Sequence, residues 1–182
     1  MPNWCSNRVK LMGDQERIDK VERILQDCLD DEIYSLSDIA KHLGVNIGDD
    51  IYCRGSLSCF ERELYGTLIL DVETAWSPID EYWDVITKKL GLKYASQSEE
   101  CGMGVYVIHN DLDGKHFPEN YVLDIWEKYQ DLTEDYYYFE TENELCTYMN
   151  EVIADREFNS FDEVREFVDK VDIGSLHQYE RD

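Results

Sequence analysis

The sequence predicts an α+β protein: an antiparallel sheet with helices on one face. Residues 5–12 and 67–76 alternate apolar and polar side chains with period two, the pattern of half-buried strands. Between and after them, apolar residues recur every three or four positions, as amphipathic helices require. Turn residues mark the junctions: Gly13-Asp14, Tyr65-Gly66, Ser77-Pro78 and Gly91.

Taken in order, Cys5, Asn7, Val9 and Leu11 share one face of the first strand, with Arg8 and Lys10 on the other. Asp14 is suited to cap a helix whose stripe is Ile18, Val21, Ile24, Leu25, Cys28 and Leu29. Residues 35–44 read as a short inserted helix, capped by Ser37 and ended by Gly44. Residues 57–64 and 67–76 form a predicted hairpin around Tyr65-Gly66. In its second strand, Leu68, Leu70, Val72, Thr74 and Trp76 are expected on one face. Ser77 as N-cap and Pro78 at the first helical position open the next helix, with the stripe Ile79, Trp83, Ile86 and Leu90. Residues 92–98 and 104–109 read as strands, with a bulge or tight bend at Cys101-Gly102-Met103-Gly104. The order strand, helix, strand, strand, helix, strand is the ferredoxin-like βαββαβ pattern.

Past residue 110, residues 121–126 and 136–140 are predicted strands. Thr141 with Glu144, and Ser160 with Glu163, have capping-box spacing and open two C-terminal helices. The expected organisation is a ferredoxin-like domain over 1–110, with the short helical insertion near 35–45. Residues 111–182 form an acidic α/β extension packed on the same core.

Charge is the most unusual bulk property. The chain carries 17 Lys+Arg against 41 Asp+Glu, a net charge of −24. Residues 97–182 hold 23 of the acids and only 6 of the bases. Such a surface repels nucleic acid and anionic membranes and attracts basic partners. With no signal-like start and only short apolar runs, the expected location is the cytoplasm of a bacterial or phage-infected cell. The six cysteines are expected as free thiols.

Met1-Pro2-Asn3-Trp4-Cys5-Ser6-Asn7, then Thr74-Ala75-Trp76-Ser77-Pro78, then Glu99-Glu100 leading into Gly102-Met103-Gly104, together resemble the YubB ferredoxin-like family. That family comprises uncharacterised proteins encoded mostly by plasmids and bacteriophages. The resemblance covers roughly residues 1–110. It implies a ferredoxin-like sheet and a mobile-element origin, without an activity or an iron–sulfur cluster.

No catalytic, cofactor or metal signature is present. There is no Cys-x-x-Cys pair, no Gly-x-Ser-x-Gly and no phosphate-cradling glycine loop. Residues 109–120 imitate a calcium loop, but His109 and Asn120 stand where terminal carboxylates are needed. Residues 37–46 resemble the start of a helix-turn-helix, yet Ile47-Gly48-Asp49-Asp50 follows in place of a basic recognition helix. The four tryptophans, Trp4, Trp76, Trp83 and Trp126, are expected in the core or at its edge.

The expected function is therefore that of a non-catalytic interaction protein. Its partner is a basic, nucleic-acid-binding host protein such as a defence nuclease, occupied by mimicry of phosphate charge. The expected surface comprises Glu134, Asp135, Tyr137, Glu142, Glu144, Glu151, Asp155, Asp162, Glu163, Glu166 and Asp169. The alternative is a small-ligand binder or small enzyme with a pocket between the sheet and the C-terminal helices.

Overall fold

The computed structural model describes residues 2–63, 66–125, 136–153 and 155–182. It is a mixed α+β structure in two compact units, residues 1–112 with 181–182, and residues 113–180. Among the described residues there are five helices and two sheets.

The first unit begins with β1 (Trp4–Met12) and α1 (Gln15–Asp30). Asp14 caps α1 as its spacing predicts, its carboxylate accepting from Arg17 N at 3.0 Å. Then come α2 (Leu36–His42), β2 (Gly55–Glu63), β3 (Thr67–Ala75), α3 (Asp80–Leu90), β4 (Lys93–Glu100) and β5 (Val105–His109). The six-stranded sheet has the order β2-β3-β1-β4-β5-β9, where β9 is Glu180–Arg181. β1 is central and pairs antiparallel with both β3 and β4; β2–β3 and β4–β5 are antiparallel hairpins.

One sheet face carries the core. Val9, Leu11, Leu68, Leu70 and Val72 pack with Ile18, Val21 and Leu25 of α1, with Leu36 and Ile39 of α2, and with Tyr82, Trp83 and Ile86 of α3. Removing each such aliphatic chain from water contributes about 1.5–3 kcal/mol. Tyr82, absent from the predicted stripe, is fully buried because its hydroxyl donates to Leu36 O at 2.9 Å.

The second unit holds β6 (Tyr121–Ile125), β7 (Tyr136–Phe139), α4 (Glu142–Val152), α5 (Phe161–Val171) and β8 (Gly174–Gln178). Its sheet has the order β7-β6-β8, with both pairs antiparallel. Leu123, Phe139, Leu145, Met149, Phe158, Val164, Val168 and Leu176 form its core. Thr141 and Glu144 make the full capping box of α4. Ser160 caps α5 through Glu163 N, but Glu163 turns its carboxylate to Asn159 N, one residue earlier than the motif requires.

Four local readings change. Ser35, not Ser37, occupies the N-cap position of α2; the two hydroxyls lie 2.9 Å apart, and Ser35 also bridges to Ser56. α3 starts at Asp80, with Ile79 at its N-cap position, so Ser77 and Pro78 precede the helix. The Ser77 carbonyl accepts from the Thr74 hydroxyl at 2.7 Å, which holds Ser77 in the turn. Trp76 leaves the strand with φ +76° and is exposed. β8 and β9 lie beyond the predicted strands, because residues 174–181 have weak alternation and acquire strand structure by pairing with β6 and β5. The expected positions of Leu64, Tyr65 and Trp126 lie outside the described residues, although the Glu63–Thr67 pairing establishes the hairpin.

All six cysteines are free. No helix among the described residues is long and apolar enough to cross a membrane. Tyr82→Phe removes the donor to Leu36 O while keeping the ring, and is expected to lower unfolding free energy by about 1 kcal/mol in urea titration.

Candidate functional site

The three sequence motifs, 70 or more positions apart at their extremes, meet at one end of the six-stranded sheet. The register places Cys5 opposite Thr74, Asn7 opposite both Val72 and Ser98, and Ser6 opposite Glu99. β1 is flanked on both sides, so its inward residues Cys5 and Asn7 are buried, although one is polar.

Asn7 is satisfied throughout. Its Nδ2 donates to Thr74 Oγ1 at 2.8 Å, Cys5 O at 2.8 Å and Val72 O at 3.2 Å. Its Oδ1 accepts from Ser98 Oγ at 2.8 Å and from the Cys5 thiol at 3.7 Å. The Thr74 hydroxyl continues the chain to Ser77 O. The amide thus ties β1 to β3 on one side and β4 on the other. Buried Glu100 closes the same end: its carboxylate accepts from Gly102 N at 3.0 Å and Met103 N at 2.5 Å, which sets the turn into β5. A Cβ at Gly102 would lie 2.9 Å from both Asn3 Nδ2 and Glu100 Oε1, so a side chain there would have to displace these two side-chain ends.

Burial pushes the Cys5 thiol up to about 11, far from the thiolate needed for attack. Desolvation also raises the Cys59 thiol, with Asp71 beside it adding to the effect.

Around the buried network three large apolar side chains are exposed. Trp4 is 49 % exposed, Trp76 45 % and Met103 60 %. Only Trp83 of the described tryptophans is in the core as expected. Trp4 lies on the strand face opposite Cys5, and Trp76 N donates to Asn3 O at 2.9 Å.

At the outer edge of this unit, His109 Nδ1 is 2.5 Å from Asp182 Oδ1, and its ring stacks on Tyr94 at 5.5 Å. The Tyr94 hydroxyl donates to Asp80 O, and burial raises the Asp80 carboxyl. These contacts clasp the terminal strand. Arg181 Nη1 likewise donates to Asp111 O at 2.7 Å and lies 3.8 Å from the Asp111 carboxylate. That acid of the calcium-like loop is therefore engaged by a cation of the chain itself. No cluster of three or more metal-ligating side chains occurs among the described residues. The cavity within the first core, lined by residues such as Leu11, Leu25, Leu70 and Trp83, encloses about 10 Å³. That is at the lower limit for one water molecule.

The acidic residues singled out in the sequence fall in the second unit. Glu142, Glu144, Glu151, Asp155, Asp162, Glu163, Glu166 and Asp169 are all exposed. Three are engaged locally: Glu142 accepts from Phe161 N, Glu144 completes its capping box, and Glu163 accepts from Asn159 N. Glu151, Asp155, Asp162 and Glu166 make no ion pair or hydrogen bond among the described residues. On α5, Asp162, Glu166 and Asp169 follow one helical face, with steps of about 4.5–6 Å along the axis. Tyr137 is half-buried against Tyr148 at 4.8 Å, whereas its neighbours Tyr136 and Tyr138 are exposed. Glu134 and Asp135 lie outside the described residues.

No protein-family model, no curated protein and no solved structure matches the chain.

Asn7→Leu leaves the buried Ser98 hydroxyl without its acceptor and removes the donor to Thr74 Oγ1, and is expected to cost about 2–4 kcal/mol in denaturant unfolding. In native thiol labelling at mildly alkaline pH, exposed Cys101 is expected to react before Cys59, while Cys5 reacts only on unfolding.

Proposed function

We propose that this chain is an acidic, non-catalytic interaction protein of mobile-element origin, which binds a basic, nucleic-acid-binding host protein such as a defence nuclease. Its first unit is a ferredoxin-like βαββαβ core of the YubB-like kind. The order β2-β3-β1-β4, the antiparallel pairings and the two helices packed on one face support that reading, as does the meeting of all three motifs at one sheet end.

The observation that carries the functional reading is the free carboxylate row. Glu151, Asp155, Asp162 and Glu166 are solvent-exposed and, among the described residues, have no cation or donor of their own. Such side chains contribute little to folding and leave their charge available to a partner. The steps along α5 are of the same order as the phosphate spacing of one nucleic acid strand, about 3.4 Å of axis, though sparser. A basic groove that accepts phosphates meets a similar charge array, and displaced counterions make such binding steeply salt-dependent.

The test is affinity capture from bacterial lysate at low salt, with the captured proteins identified. Nucleic-acid-binding proteins are expected, released by raised salt and by competing duplex DNA. Charge reversal in D162K/E166K/D169K is expected to lower their capture at least about tenfold. Capture that survives this variant, or that duplex DNA does not compete, refutes the proposal.

A further inference from the structure

The exposed end of β1 and β3 combines three features that solubility does not require. Trp4 and Trp76 are each nearly half exposed. Trp76 holds φ +76°, a left-handed backbone that a bulky residue adopts only at an energetic cost. Glu73 is exposed and, among the described residues, makes no ion pair or side-chain hydrogen bond. The register pairs Trp4 with Ala75 and Ser6 with Glu73, so Glu73 is the diagonal cross-strand neighbour of Trp4. Diagonal neighbours lie about 7–8 Å apart, within reach of long and aromatic side chains. On the same face, Arg8 is already engaged by Glu61 and Asp71, and Lys10 by Glu63.

We propose that Trp4, Trp76 and Glu73 form a receiving site for an arginine side chain of a basic protein partner. A guanidinium is planar and weakly hydrated; it stacks on an indole face and still directs its N–H donors to a carboxylate. Met103, 60 % exposed on the turn set by Glu100, supplies an adaptable apolar rim. The overall charge of −24 favours a cationic occupant and opposes a nucleic acid, which would otherwise be a natural ligand for exposed indoles. The local counter-charge is Arg54, exposed, whose carbonyl accepts from Ala75 N at 3.0 Å. The site rests on the reading of the chain as a binder of basic proteins, and adds a specific contact on the first unit to the diffuse charge of the second.

The test is fluorescence anisotropy with labelled hexa-arginine, hexa-lysine and hexa-citrulline peptides at about 50 mM salt. The intact protein is expected to bind hexa-arginine more tightly than hexa-lysine, and to leave hexa-citrulline unbound. Trp4→Ser and Trp76→Gly are each expected to weaken hexa-arginine binding about five- to tenfold and to abolish the preference over lysine. Glu73→Gln should weaken binding and Arg54→Gln should tighten it. Trp76→Gly is also expected to raise the melting temperature, since glycine accepts the left-handed backbone; a loss of binding alongside a gain in stability separates recognition from folding.

Equal binding by the intact protein and both tryptophan variants overturns the site, as does tighter binding of an oligodeoxythymidine than of hexa-arginine. The two proposals fail separately. If D162K/E166K/D169K abolishes capture from lysate while the tryptophan variants bind hexa-arginine normally, the acidic row stands and the aromatic site falls. If the arginine preference persists in the charge-reversed protein and capture is undiminished, the aromatic site stands and the acidic row falls.

Discussion

The first unit depends on how β1 satisfies both of its neighbours. A central strand has no free edge, and its inward side chains have no route to water. Asn7 sits in such a position, one step beyond Val9 and Leu11 of the apolar core. Its amide has two donor hydrogens and an acceptor oxygen, and all find partners: Thr74 and Val72 of β3 on one side, Ser98 of β4 on the other, and Cys5 O of its own strand. A buried amide so fully bonded specifies register, because a slip of one residue would turn it to the opposite face and leave those partners unbonded. The sheet order and the placement of the helices over the apolar rows are consistent with that register.

The same register shapes the surface. With Cys5 and Asn7 facing inward, Trp4 and Ser6 must face outward, where both are exposed. The Thr74 hydroxyl bonds to Ser77 O, and Trp76 N bonds to Asn3 O, so the chain turns sharply after β3. Trp76 carries that turn in a left-handed conformation, where glycine would be easier to accommodate. A strained, exposed tryptophan beside another exposed tryptophan is a different kind of feature from the charged surface of the second unit. One suits a specific contact; the other suits long-range attraction.

In the second unit, the acids do two different jobs. Glu142, Glu144 and Glu163 satisfy backbone N–H groups around the helix starts, which accounts for them structurally. Glu151, Asp155, Asp162 and Glu166 have no such role. A count of acidic residues merges the two groups; the hydrogen bonds separate them.

Much of the fold was legible in the sequence because it is written in local periodicity. The alternation of residues 5–11 gave the correct burial of β1, and the Asp14 cap and the Thr141–Glu144 box need only neighbours in sequence. The same is true of Gly91, whose φ of +66° ends α3. The partial failures share a cause, since each depends on a distant partner. β8 and β9 exist because β6 and β5 offer free edges. α3 starts two residues late because Thr74 holds Ser77 in the preceding turn. Tyr82 is core because Leu36 O, 46 positions away, accepts its hydroxyl. The sequence by itself determined the α+β class, the helices and most of the strands, and the charge of the chain. Only the tertiary structure decided which tryptophans stay outside and which acids stay free, because both depend on hydrogen bonds and coverage between residues far apart in the chain.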